Sequence, residues 1–91
     1  MTTRAALEAA GMLPLAETIC RHYGATLESA LCGNHIKHKS ARFVLLAVLS
    51  NLGWTDERIM AVTGMSQCLL DRALDEVHIS QVRRFVPMRQ S

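Results

Sequence analysis

Five glycines, at positions 11, 24, 33, 53 and 64, cut this 91-residue chain into short stretches, and each follows a run with helical character. A glycine just past a helix end can take the left-handed conformation that stops the helix. Thr26, Thr55 and Ser66 stand where the next segments begin, and hydroxyl side chains there cap free backbone N–H groups. Pro14 suits the first turn of a helix. No run alternates apolar and polar residues with period two, as a half-buried strand would. The expected fold class is all-α: five to six short helices with a long central helix and a helix-turn-helix.

The expected helices cover 3–10, 14–23, 26–32, 39–52, 56–63 and 67–78. In the second, Leu15, Ile19 and Tyr23 share one stripe. In the third, Leu27, Ala30 and Leu31 turn inward. The fourth is the longest. Phe43, Leu46 and Ala47 form its stripe, and Val44, Leu45, Val48, Leu49 and Leu52 widen it until the helix is apolar on most sides. Such a helix belongs in the middle of the fold. Apolar residues make up 49% of the chain and aromatics only 4%, so the core must be aliphatic. It is expected to contain Leu15, Ile19, Leu27, Leu31, Phe43, Leu46, Ala47, Leu49, Ile59, Val62, Leu70 and Leu74. Trp54 is expected to close over it as a lid.

The length suits one domain over 1–91, with a basic tail from 80 to 91 in which Pro87 stops any helix. Apolar runs fall well short of the ~18 residues that suggest a membrane span. The first residues lack the pattern of a secretory signal. Three cysteines, Cys20, Cys32 and Cys68, form no disulfide framework. These readings place the chain in the cytoplasm, away from membranes.

Residues 55–77, "TDERIMAVTGMSQCLLDRALDEV", read as a short helix, a turn at Gly64 and a longer helix. Ile59 and Val62 can pack on Leu69, Leu70, Ala73 and Leu74, with Ala61 as the small residue at the crossing. That is a helix-turn-helix pattern, shared with any helical corner that turns on a glycine. The exposed side of its second helix offers Ser66, Gln67 and Arg72 as base readers, since Gln suits adenine and Arg suits guanine. It also carries Asp71, Asp75 and Glu76, which repel phosphate unless they face away or pair with Arg72.

Residues 32–42, "CGNHIKHKSAR", contain no acid. Two readings compete with a plain polar joint between helices. Cys32, His35 and His38 have zinc-ligand chemistry, with Cys20 and His22 upstream. A structural zinc needs four converging ligands, commonly as two tight pairs. Residues two apart on a helix diverge, so Cys20 and His22 do not make the second pair, and no metal is expected. For phosphate, Lys37, Lys39 and Arg42 give three positive charges within six residues. His35 or His38 adds charge if protonated, Ser40 adds a hydroxyl, and the amides of Lys39, Ser40 and Ala41 would open the long helix, whose N-terminus attracts anions. In the tail, Arg83, Arg84 and Arg89 could follow a DNA backbone or merely keep the tail soluble. His78 is expected at a helix C-terminus, where the dipole favours it.

From Leu15 to Val77 the chain resembles the C-terminal DNA-binding domain of the bacterial replication initiator DnaA. The matching stretches are "ICRHYGATLESAL" (19–31), the basic segment with "SAR" (40–42), the long apolar helix, and "ERIMAVTG" (57–64). The resemblance implies a Trp-repressor-like helix-turn-helix that binds duplex DNA: phosphate and minor groove through the basic loop, bases through the recognition helix. The family's signature there is G-x-R-D-H-[ST]-T-V, where this chain has "GMSQCLL" (64–70). The resemblance thus carries the fold and the basic loop rather than the family's DNA target. The ATPase domain's G-x-x-x-x-G-K-[ST] does not occur in the chain.

No serine or cysteine has an oriented base, no carboxylate pair sits in an apolar setting, and no dinucleotide glycine pattern occurs, so neither an enzyme nor a cofactor is expected. The expected function is a duplex-DNA-binding module, a small regulator of a bacterium or its phage. The alternative is a protein–protein interaction module on the same fold. Oligomeric state is left open.

Overall fold

In the computed structural model, which describes residues 2–86, seven helices and no strand occur among the described residues. They are α1 (Thr3–Ala9), α2 (Leu13–His22), α3 (Leu27–Cys32), α4 (Ile36–Asn51), α5 (Asp56–Thr63), α6 (Gln67–Glu76) and α7 (Ile79–Arg83). The all-α expectation holds. None of the described helices is long and apolar enough to cross a membrane.

Local chemistry sets most boundaries. The hydroxyls of Thr26, Thr55 and Ser66 accept from the backbone N–H of Ser29, Arg58 and Leu69 at 3.1, 3.2 and 3.2 Å, so all three expected caps open helices. Gly64 ends α5 in the left-handed conformation, with φ 74°. Gly33 serves differently. Its φ of −74° is ordinary. The His38 ring and the Ser29 carbonyl oxygen lie so close to its Cα that any Cβ would collide with both.

Helix α4 begins three residues before the expected 39. His35 is its cap: the His35 Nδ1 accepts from the Lys37 N–H at 3.3 Å. Lys39 already donates its N–H to the His35 carbonyl at 3.1 Å, and Ser40 and Ala41 lie beyond the first turn. The expectation that the amides of Lys39, Ser40 and Ala41 form the helix opening is therefore corrected. At the other end, α6 stops at Glu76. His78 is not its C-terminal residue but the N-cap of α7, accepting from Ser80 N–H while its own N–H donates to Gln81 Oε1 at 2.9 Å.

Around α4 the core closes on every side. Residues 44–49 are all buried, as is Ala41. Against them pack Ala16, Ile19 and Cys20 of α2, Leu27 and Ala30 of α3, Ile59 of α5, Leu70 and Ala73 of α6, Val82 of α7 and Leu7 of α1. Of the expected core, Ile19, Leu27, Leu46, Ala47, Leu49, Ile59 and Leu70 are buried, while Leu15, Leu31, Phe43 and Val62 are half-buried at its edge. Leu74 is a correction: it is 40% exposed, because the inward stripe of α6 runs through Leu70, Ala73 and Val77. Leu52 is also 40% exposed, since α4 ends one residue before it. Ala61 is exposed and so does not sit between α5 and α6, whereas Ala73 of α6 is fully buried. Trp54 is half-buried against the core, with the Arg58 guanidinium 3.9 Å above its ring centre.

Candidate nucleic-acid interface

The first two turns of α4 spread the expected phosphate-binding residues around the helix instead of aiming them one way. Lys37 and Lys39 are exposed. The stem of Lys37 passes Gly24 at the end of α2. Lys39 reaches the opposite side, where an open cleft of about 370 Å³ is lined by Lys39, Arg42 and Phe43 of α4 and by Leu69, Arg72 and Glu76 of α6. The structure thus brings two basic residues of α4, Lys39 and Arg42, and one expected base reader of α6 to a single surface.

The other three have different surroundings. Arg42 turns back onto α3: its Nε donates to the Ala30 carbonyl at 2.7 Å and its Nη2 to the Gly33 carbonyl at 2.5 Å. Its positive charge sits at the C-terminal end of α3, where the helix dipole is negative and carbonyls lack helical partners. His38 is half-buried over Gly33, with its Nδ1 shielded from solvent and without a hydrogen-bond partner among the described residues. Its ring centre lies 5.8 Å from that of His35. Ser40 is half-buried in a hollow that it shares with Glu76, Val77 and Gln81.

The corner α5–Gly64–α6 exposes Ser66, Gln67 and Arg72, as expected. Two of these three, Gln67 and Arg72, are held by carboxylates. Gln67 Nε2 donates to Asp56 Oδ2 at 3.1 Å and to Asp71 Oδ1 at 2.8 Å. Arg72 Nε donates to Glu76 Oε2 at 3.1 Å, an exposed pair one turn apart. Helices α5 and α6 together carry five carboxylates against Arg58 and Arg72, a net charge of −3. The whole chain carries +2, which leaves +5 on the rest of it. The small overall charge therefore hides an acidic helix pair, α5 and α6, in a chain whose other segments are together basic.

Arg83 closes α7 and Arg84 caps it, and both are exposed. Arg89 lies outside the described residues, as does Pro87. Sequence reasoning missed α7 itself and what anchors the segment after it. The Phe85 ring meets that of His22 edge-on at 5.4 Å, and His22 in turn meets Tyr23 at 5.0 Å. Its sequence signal was the reciprocal capping of His78 and Gln81, with histidine in a role usually given to Ser, Thr or Asp.

The possible zinc ligands do not converge. Cys20 is buried in the core, where desolvation, reinforced by Glu28 and Glu17, pushes its thiol up to about 11. Among the described residues no group of three or more His, Cys, Asp or Glu side chains is placed to hold a metal ion. Comparison of the chain with family models, with curated proteins and with solved structures returned no match.

Proposed function

We propose that this chain is a duplex-DNA-binding module of the DnaA C-terminal type, working without an ATPase domain as a small regulator in a bacterium or its phage. The observation that carries this reading is the cleft shared by Lys39 and Arg72, which sets the basic start of α4 beside the second helix of the corner. Lys37 and Lys39 meet phosphates, and Arg83 and Arg84 extend the contact along the backbone. Counterion release from those phosphates provides affinity irrespective of sequence. The Ser66-capped end of α6 enters the major groove, as the second helix of such a corner does. Gln67 and Arg72 then exchange their carboxylate partners for base edges.

That exchange has an electrostatic cost, because Asp71, Asp75 and Glu76 approach the DNA with α6. Affinity is consequently dominated by the lysines and base selectivity is modest. Titration of fluorescent duplexes at rising salt tests the proposal: binding should be tight at low salt and fall steeply as salt rises. No binding to any duplex at low salt would reject it.

A second reading is favoured by one specific observation, the engagement of Gln67 and Arg72 by carboxylates together with the −3 charge on α5 and α6. On this reading the corner has exchanged DNA for a protein partner. The same titration separates the two, since a protein-only module leaves duplex DNA unbound at every salt concentration.

A further inference from the structure

We infer that a second copy of this chain docks on the apolar groove formed by the C-terminal half of α4, the end of α6 and α7, and that the two copies pair antiparallel about a two-fold axis. The groove holds about 280 Å³ and is lined by Ala47, Ser50 and Asn51 of α4 and by Leu74, Val77, Ile79 and Val82. Leu74 and Ile79 are 40% and 42% exposed, two of only four large apolar side chains so exposed among the described residues. Leu52, another of the four, follows Asn51 at the same end of α4. Leu74 and Ile79 thus present apolar surface to solvent in one and the same groove.

Charge decides what covers it. Along the chain the order is Asp71, Leu74, Asp75, then Ile79, then Arg83. Asp71 lies three residues before Leu74 and Arg83 four after Ile79, so each charge flanks its apolar neighbour on the same helix face. All of these side chains are exposed. Neither Asp75 nor Arg83 has an ion-pair partner among the described residues. A cationic partner helix would satisfy the carboxylates but set its own charge against Arg83, and an anionic one would do the reverse. A second copy laid antiparallel satisfies both at once: its Ile79 meets Leu74 and its Arg83 meets Asp71 and Asp75. A two-fold contact has this self-complementary form, each residue pair occurring twice.

The contact leaves the cleft of Lys39 and Arg72 open, while it draws Arg83 away from the backbone contact proposed for it. Arg72 and Glu76 point to the other side of α6, into the cleft with Lys39. The inference therefore does not rest on DNA binding, and it stands or falls separately.

Sedimentation equilibrium of the full chain tests it, from the low micromolar range up to about 0.5 mM. The wild type should show a reversible monomer–dimer equilibrium that weakens between about 0.05 and about 0.5 M salt. Leu74→Arg should leave the circular dichroism spectrum intact, because Leu74 is outside the core, and should abolish the dimer. Arg83→Asp and Asp75→Arg should each raise the dissociation constant about tenfold by placing like charges opposite one another. The double variant Arg83→Asp/Asp75→Arg should bring it back toward the wild-type value, which a merely structural role for either residue would not do. A wild type that stays monomeric at the highest concentration overturns the proposal and leaves the groove to a different protein. Failure of the double variant to restore pairing overturns the antiparallel arrangement.

Discussion

Arg42 reaches from α4 to the Ala30 carbonyl of α3, with an Nε-to-oxygen distance of 2.7 Å, and its second nitrogen holds the Gly33 carbonyl. One guanidinium thus closes the exposed end of α3 and fastens it to the central helix. In the sequence this arginine belongs to the basic segment of the family resemblance. In the fold its donors are directed into the protein.

Arg42→Ala should therefore act on stability. It leaves two carbonyls without their charged donor and should lower unfolding stability by about 1–3 kcal/mol, the usual cost of losing hydrogen bonds to a charged group. Urea denaturation reads this directly. Lys37→Ala and Lys39→Ala remove exposed side chains and should shift stability by less than about 0.5 kcal/mol. Equal stability of all three variants would show that the Arg42 clamp contributes nothing.

Gly33→Ala tests the close approach of His38. The backbone conformation suits alanine, so any cost must come from the added methyl meeting the His38 ring and the Ser29 carbonyl. Forcing a methyl into such a contact typically costs about 1–3 kcal/mol. Gly11→Ala is a useful contrast, for a Cβ there meets nothing within 4 Å and any penalty comes from its φ of +74°. Pairing Gly33→Ala with His38→Ala should recover part of the loss, which chemical denaturation of the single and double variants would reveal.

Acid unfolding should report on Arg4. This residue joins α1 to α2 and α3 through Glu17 at 3.1 Å and Glu28 at 2.9 Å. The hydrogen bonds from the Arg4 guanidinium hold the Glu28 carboxyl below its ordinary 4.5. A depressed carboxyl stabilises the fold above its unfolded value and loses that contribution as pH falls through the folded value. Melting temperature should accordingly fall as pH drops below about 4.5, and Glu28→Gln should flatten that part of the profile. Both groups are on the surface, so the change is modest and shrinks in high salt. An unchanged profile in Glu28→Gln would place the acid sensitivity elsewhere.

Much of this fold is legible from local chemistry. Thr26, Thr55 and Ser66 cap helices as their positions suggest, and α5 has the expected limits, because cap and helix are neighbours in sequence. The apolar run 43–49 marks α4 as central, since only a helix surrounded by others buries so many consecutive residues. What was hidden depends on partners distant in sequence or on unusual caps. His35 and His78 cap α4 and α7 with an imidazole nitrogen, which moves the start of α4 to Ile36 and creates a seventh helix. Leu74 turns outward because the buried residues of α6 are Leu70 and Ala73, a choice that its apolar pattern alone leaves open. At the candidate interface the sequence identifies the charges but not their engagements: Arg42 with α3, Gln67 with Asp56 and Asp71, Arg72 with Glu76.

Arg72→Ala and Gln67→Ala should alter selectivity among duplexes. If either side chain makes a good bidentate base contact, its loss narrows the gap between preferred and other sequences by about 1–3 kcal/mol. Affinity for random duplex should change little, or rise slightly in Gln67→Ala/Asp71→Ala, where a carboxylate goes too. Competition binding with a panel of duplexes measures this. Loss of binding to every sequence in Arg72→Ala alone would assign Arg72 to a different interface.

The most direct measurement of the DNA-binding proposal is the salt dependence of duplex affinity in wild type, Lys37→Ala, Lys39→Ala and the double lysine variant, read by fluorescence anisotropy between about 50 and about 200 mM salt. Phosphate contacts carry no direct sequence information, so each lysine variant should weaken binding about equally across sequences. Each should flatten the slope of log affinity against log salt by about one unit, and the double variant by about two. Wild type that fails to bind duplex DNA at the lowest salt, or lysine variants whose slopes match the wild type, would contradict the proposal.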